Sequence, residues 1–167
     1  HDADLPPSEG GGLPPDRRVG LVPLRAGETQ REPQDVRRLA QAQVVFENGL
    51  GLEAYLRALV ANAGTGVPVI DLSTGIAPLP ADPRAKAEAP GGWDPHVWLD
   101  PRNVITWTRT IEAALSALDP AGAAEYAGRS ASYQAELKAL DAELESTFSA
   151  IPAPQRTLVT DHEEFAY

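Results

Sequence analysis

The sequence contains no cysteine and no methionine among its 167 residues. Without cysteine the chain can form no disulfide bond, no thiolate metal site and no cysteine nucleophile. A complete reading frame begins with methionine, whereas this chain begins with His1. We therefore expect it to be a processed mature chain or a fragment.

Basic residues and long apolar runs are also scarce. The chain has 14 Lys and Arg against 24 Asp and Glu, a formal net charge of -10. This charge repels phosphate backbones and attracts cations, so nucleic acid is not an expected partner. No apolar run approaches the ~20 residues that span a bilayer, and no signal-peptide pattern opens the chain. We expect no membrane span and no export signal, whereas the 43% hydrophobic content suffices for a globular core.

Alternating strand and helix patterns indicate the fold class. Residues 1–17 are rich in proline and glycine and predict a flexible leader. After them, apolar strands alternate with helical periodicity in the order β-α-β-α-β, which favours a parallel sheet with crossover helices and an α/β fold. The predicted strands are 18–24, 44–46 and 67–72, and the predicted helices are 33–42 and 52–64.

The second half of the sequence is predicted to be mainly helical. A proline-rich loop at 73–93 is too long for an ordinary connection. Asp100-Pro101 begins a helix, a longer helix covers 121–149, and a new strand is predicted at 156–160. The resulting organisation is a leader at 1–17, an N-terminal lobe at 18–119, an inter-lobe helix at 120–151 and the start of a C-terminal lobe at 152–167.

His96 is the first candidate metal ligand. It lies in the segment Asp94–Pro101, between two prolines that stiffen the backbone. A metal-binding imidazole needs a fixed rotamer and an acceptor for its other nitrogen, which Asp94 or Asp100 could supply. The alternative is an Asp-Pro turn in which the imidazole only packs against Trp98.

His162 is the second candidate. It follows the strand predicted at 156–160, where α/β proteins place ligands, and it lies between Asp161 and Glu163. The alternative is an exposed acidic turn. His96 and His162 are far apart in sequence, unlike the paired ligands of a zinc finger, so the fold would have to assemble the site.

Three segments together resemble the substrate-binding proteins of zinc and manganese ABC transporters, which are periplasmic or lipid-anchored. They are residues 45–53, 94–101 and 157–167. The resemblance implies that His96 and His162 are the second and third of four metal ligands. It further implies capture of zinc, or alternatively manganese, and delivery to a permease without catalysis. We expect a monomer that is periplasmic or extracellular, and imidazole at the third position favours zinc.

Two departures from the family pattern imply an incomplete site. Thr29 or a near neighbour stands where the family has its first histidine ligand, and the chain ends at Tyr167, before the fourth, acidic ligand. Water or nearby glutamates would then complete the coordination, with Glu28, Glu32, Glu163 and Glu164 as candidates. A fragment without function is one alternative to a binding protein.

A metal-dependent hydrolase is the alternative from another functional class. Glu163 or Glu164 would act as general base beside a zinc ion held by His96 and His162. The sequence contains no His-Glu-x-x-His helix. Serine hydrolase chemistry is not indicated either, because no Gly-x-Ser-x-Gly turn occurs.

Overall fold

The computed structural model describes residues 39, 41–53, 57, 60, 66–82, 91–160 and 165–167. The leader predicted at 1–17 and the strand predicted at 18–24 lie outside these residues. Most of the two helices predicted at 33–42 and 52–64 also lies outside them. The described positions Leu39, Gln41, Arg57 and Val60 are helical, whereas Ala42, Leu52 and Glu53 are not.

A two-stranded parallel sheet lies near the start of the described region. Strand β1 (Val45–Glu47) pairs with strand β2 (Val69–Asp71), and Phe46 lies opposite Ile70. Parallel strands need a crossover connection, which residues 48–68 provide. The predicted parallel sheet is therefore confirmed for these two strands. Both strands end in a carboxylate, so two acidic side chains lie at the same edge of the sheet.

The proline-rich loop after β2 turns back on itself. Pro80 and Trp93 form an isolated antiparallel bridge. The Ala81 amide donates to the Gly92 carbonyl at 3.1 Å, and the Asp94 amide donates to the Leu79 carbonyl at 2.9 Å. Proline lacks an N–H, which limits how far such pairing can extend. The bridge returns the chain so that Asp94 lies beside Leu79.

Helix α1 (Pro101–Leu118) begins as predicted, with Asp100 as its N-cap. The Asp100 carboxylate accepts the Arg102 amide at 2.8 Å, and Pro101 occupies the first turn, where no N–H is required. A short 3-10 turn, Val97–Leu99, links the cap to the preceding loop. Val97 is fully buried and fixes this turn in the core.

Helix α2 (Ala123–Ser149) confirms the predicted long helix. Its 27 residues extend about 40 Å at 1.5 Å per residue. A 3-10 turn at Pro120–Gly122 joins it to α1, and the Arg109 side chain donates to Gln134 Oε1 at 2.9 Å across the helix pair. Within the described ranges, no helix combines the length and the apolar character that a bilayer span requires.

The prediction of a strand at 156–160 is wrong. A 3-10 turn at Ala153–Gln155 is followed by a segment that pairs with no strand in the described part of the chain. Leu158 and Val159 are 69% and 88% exposed. The apolar pattern is local, whereas a strand also needs an edge to pair with. Arg156 instead closes the end of α2 by donating to the Ser149 carbonyl at 3.1 Å.

Gly49 makes the tight turn after β1. Its φ is +89°, and a Cβ built on it would lie 2.0 Å from Asp71 Oδ1 and 2.5 Å from Ser73 Oγ. The Asp71 carboxylate occupies that space because it accepts the Ser73 amide at 2.8 Å and the Ser73 hydroxyl at 2.5 Å. Only glycine allows the turn and the carboxylate to approach this closely.

Replacing Gly49 with alanine should lower the free energy of unfolding by about 2 kcal/mol or more, because left-handed backbone alone costs about 1–2 kcal/mol and the Cβ overlap adds to it. Gly66→Ala is the matched control, since Gly66 has φ +61° but no heavy atom within 4 Å of its Cβ position. Urea denaturation measures both losses, and equal losses would contradict crowding at Gly49.

Candidate functional site

The Asp94 carboxylate holds His96 by two hydrogen bonds to one oxygen. Asp94 Oδ1 accepts the His96 amide at 2.9 Å and pairs with His96 Nδ1 at 2.8 Å. Both side chains are largely buried, at 9% and 12% exposure. A carboxylate oxygen accepts, so Nδ1 donates in this pair, and the neutral imidazole then has its lone pair on Nε2.

The indole of Trp98 further restricts the imidazole. The two ring centroids lie 5.2 Å apart with an edge-to-face angle of 62°. Orientation by a carboxylate and packing against Trp98 were predicted as alternatives for His96. The structure shows both for the same ring. Of the two acceptors predicted for His96, Asp94 is the partner, because Asp100 is engaged in capping α1.

Asn48, which follows β1, supports the loop formed by residues 94–96, the His96 loop. Its side-chain amide donates to the Pro95 carbonyl at 3.0 Å and to the Gly49 carbonyl at 3.1 Å. Glu53 holds the turn in place, because its carboxylate accepts the backbone amides of Asn48 at 3.0 Å and Gly49 at 3.2 Å. The turn after β1 is thereby connected to the peptide next to His96.

Tyr167 supports the same loop from the other end of the chain. Its hydroxyl accepts the Leu79 amide at 2.9 Å and donates to the Asp94 carbonyl at 2.9 Å. Partial burial raises the pKa of Tyr167 above its ordinary value. Sequence analysis missed this contact and the Asn48 contact, although both residues lie in segments that carry the resemblance.

An acidic cavity of about 210 Å³ lies at the carboxyl ends of the two strands. The Arg57 guanidinium pairs with Glu47 and lies 3.6 Å from Asp71, and these carboxylates raise the pKa of Arg57 further. Burial raises the pKa of Glu53, against the opposing effect of its two backbone hydrogen bonds. The cavity is lined by Glu47, Gly49, Leu50, Gly51, Glu53, Arg57 and Asp71.

The cavity is lined by an ion-pair network that includes the exposed side chain of Arg57, and not by a preformed metal cluster. Glu47 is 4% exposed and engaged by Arg57, while Asp71 is engaged by Ser73 as well. Buried carboxylates need such partners because unpaired charge is costly in a low dielectric. Throughout the part of the chain that the structure describes, no three histidine, aspartate or glutamate side chains form a group that could hold a metal ion.

His96 is the one predicted ligand among the described residues. His162, with its neighbours Glu163 and Glu164, lies outside them, as do Glu28, Thr29 and Glu32. The meeting of the two imidazoles at one ion therefore stays a prediction. Loss of the first family ligand at Thr29 also stays a prediction.

Comparison with known proteins decides the family. A family profile described as zinc-uptake complex component A, periplasmic, matches residues 28–167. The chain belongs to this zinc-uptake family. The resemblance predicted from the sequence is thereby confirmed, as is the α/β fold class with its parallel sheet and long helix.

Individual relatives of known name match most of this chain. The manganese-binding lipoprotein MntA of Halalkalibacterium halodurans is 34% identical over 151 residues, which are 88% of this chain and 47% of the relative. The iron-binding protein YfeA of Yersinia pestis is 35% identical over 140 residues, 83% of this chain and 43% of the relative. A crystal structure of ZnuA has a TM-score of 0.71 and 31% identity, covering 83% of this chain and 51% of the other.

The chain spans about half the length of these relatives. The predicted periplasmic or extracellular location is confirmed, since the family is described as periplasmic and relatives are lipoproteins. The zinc-uptake family is a transport family and not a family of enzymes, so the comparisons do not favour the hydrolase alternative.

The raised pKa of Glu53 predicts a pH-dependent contribution to stability. The folded chain should bind the Glu53 proton before the unfolded chain does as the pH falls. Relative to Glu53→Gln, the wild type should therefore gain stability as the pH falls towards the pKa of an unfolded glutamate, about 4.3, and the difference should level off below it. Urea unfolding across this range measures it.

Glu143→Gln is the control for removing one carboxylate, because Glu143 is exposed on α2. The stability difference between wild type and Glu53→Gln should grow relative to this control as the pH falls. A constant difference would contradict the assigned effect of burial on Glu53.

Proposed function

We propose that the chain belongs to a substrate-binding protein that captures zinc and delivers it to the permease of an ABC importer. His96 and His162 are the proposed ligands. The hydrogen bond of 2.8 Å that His96 Nδ1 donates to Asp94 Oδ1 carries this proposal. Metal-binding histidines characteristically donate the N–H of their second ring nitrogen to a carboxylate. This hydrogen bond sets the tautomer and raises the basicity of the coordinating nitrogen.

Zinc is proposed over manganese from the chemistry of the donors. Imidazole nitrogen suits zinc, whereas sites rich in carboxylate and water suit manganese. The names of the relatives do not single out one metal, because the family is named for zinc and individual relatives are named for manganese and iron. Manganese is the alternative cargo.

The proposed function is capture and transfer without a chemical step. We place the first lobe at 18–119, the inter-lobe helix at 120–151 and the start of the second lobe at 152–167. The length of α2, about 40 Å, supports the assignment of a connecting helix. The expected working unit is a monomer, and the ion would bind between the lobes.

The purified chain should bind zinc weakly, with a dissociation constant far above about 1 nM. It has three histidines and no cysteine, so two imidazoles would need water or carboxylates to complete a tetrahedral site. Calorimetric titration at neutral pH measures the affinity. Acidification should release the ion, because a protonated imidazole cannot coordinate. Sub-nanomolar binding would contradict an incomplete site.

His96→Ala should abolish most of the zinc-dependent rise in melting temperature. A ligand that binds only the folded state raises the melting temperature through its occupancy, and this substitution removes a proposed ligand. Differential scanning fluorimetry with and without zinc gives the rise for each variant separately, so any change in the metal-free protein is subtracted.

His1→Ala is the matched control for that experiment. An N-terminal histidine and its amine can chelate zinc adventitiously, and the control should leave the zinc-dependent rise unchanged. Equal effects of the two substitutions, or no rise in the unmutated chain, would show that the family resemblance is present without metal capture.

A further inference from the structure

The peptide bond between Pro95 and His96 is held at both of its ends. Its carbonyl accepts from the Asn48 side-chain amide at 3.0 Å, and its N–H donates to Asp94 Oδ1 at 2.9 Å. A peptide bond is planar, so bonds at its two ends restrain the flanking dihedral angles, ψ of Pro95 and φ of His96. The proline ring already fixes φ of Pro95. The course of the backbone at His96, and with it the position of the imidazole, is therefore set by these contacts.

Asn48 uses both hydrogens of its side-chain amide and leaves its oxygen unused. The second hydrogen is donated to the Gly49 carbonyl at 3.1 Å. The residue is 8% exposed, and within the part of the chain that the structure describes its buried Oδ1 has no hydrogen-bond partner. Reversing the amide would set this oxygen against two carbonyl oxygens, so the contacts fix its orientation. A buried acceptor without a partner lowers stability, and what the fold gains from Asn48 is its donors.

Asn48 is itself fixed to the sheet. It directly follows Glu47, the last residue of β1, and the Glu53 carboxylate accepts its backbone amide at 3.0 Å. Asp94, by contrast, belongs to the same loop as His96 and would move with it. Asn48 therefore connects the orientation of the Pro95–His96 peptide to the sheet, which the contact within the loop cannot do.

We propose that Asn48 is a positioning residue for metal capture, which holds the His96 imidazole in the orientation that binds the ion. This inference rests on the proposed function. Without the Asn48 donor, the Pro95–His96 peptide could rotate, and the imidazole would spend less time in its present orientation. The apparent affinity falls in proportion to the population of the competent arrangement.

Asn48→Ala tests the inference, and Asn103→Ala is its matched control. Both asparagines donate to a backbone carbonyl at 3.0 Å, but Asn103 donates to Val97, on the other side of His96. The Val97 carbonyl also accepts the Asp100 amide, at 3.4 Å. Zinc affinity by calorimetry should fall about three- to tenfold in Asn48→Ala, the range expected for one lost hydrogen bond, and stay unchanged in Asn103→Ala. Equal losses in the two variants would overturn the inference.

A double-mutant cycle separates positioning of His96 from a general effect on the protein. In a His96→Ala background, Asn48→Ala should cause no further loss of zinc affinity, because the imidazole that it positions is gone. The same loss in both backgrounds would overturn the inference. Unchanged affinity in Asn48→Ala, with His96→Ala still weakening binding, would overturn the inference and leave the proposed function intact. Absence of zinc binding by the unmutated chain would contradict the proposed function and, with it, the role of Asn48 in capture.

Hydrogen exchange gives a readout that needs no metal. The His96 amide donates to Asp94 Oδ1 and should exchange faster in Asn48→Ala than in Asn103→Ala, because the peptide that carries it is no longer held at its carbonyl. Equal exchange of this amide in the two variants would overturn the inference.

The amides of Val45 and Leu72 report in the same experiment whether the sheet is intact. Each donates at one end of the sheet at 2.9 Å, and both should exchange equally in the two variants. If Asn48→Ala exposes these amides as well, Asn48→Ser takes its place in every comparison. The serine hydroxyl keeps a polar group at this position but is one bond shorter than the amide, so it withdraws the donor from the Pro95 carbonyl.

Discussion

The hydrogen bond between the Asp94 carboxylate and the His96 imidazole is the interaction on which the candidate site depends. A histidine ring on an unsupported loop would sample several rotamers and both neutral tautomers. Here one oxygen of Asp94 engages both the backbone amide and Nδ1 of His96. The loop itself is held on either side, by Asn48 at the Pro95 carbonyl and by Tyr167 at the Asp94 carbonyl.

The ion-pair network at the ends of β1 and β2 supports the His96 loop through the turn that follows β1. Glu47 and Asp71 end the two parallel strands, and Arg57 lies between their carboxylates. Gly49 lets the chain turn directly over Asp71. The turn then places Asn48 where its amide reaches the His96 loop. Charge pairing in the sheet and orientation of the imidazole are therefore connected through one turn.

Local patterns predicted most of the described fold. The strands near 45 and 69, the N-cap at Asp100 and the long helix over 121–149 follow from periodicity and capping, which involve neighbours in sequence. The segment 156–160 has an equally good apolar pattern but no strand to pair with in the described residues, and that condition is not local.

In the candidate site, too, features set by neighbours in sequence could be predicted, whereas contacts between distant residues could not. The stiffness of the His96 loop can be read from its two prolines, and both acceptors proposed for the imidazole lie within four positions of it. The choice of Asp94 over Asp100 follows from the needs of α1, which takes Asp100 as its cap. The contacts of Asn48 and Tyr167 join residues 47 and 73 positions apart, and no local pattern marks such pairs.

The two anchors of the His96 loop both act on backbone carbonyls, and Asp94 also accepts the backbone amide of residue 96. None of these three bonds requires that residue 96 be histidine. The loop conformation and the identity of the side chain at position 96 are therefore separable properties. A scaffold of this kind can exchange one donor atom for another without refolding its loop, which offers a physical route by which related proteins diverge in metal preference.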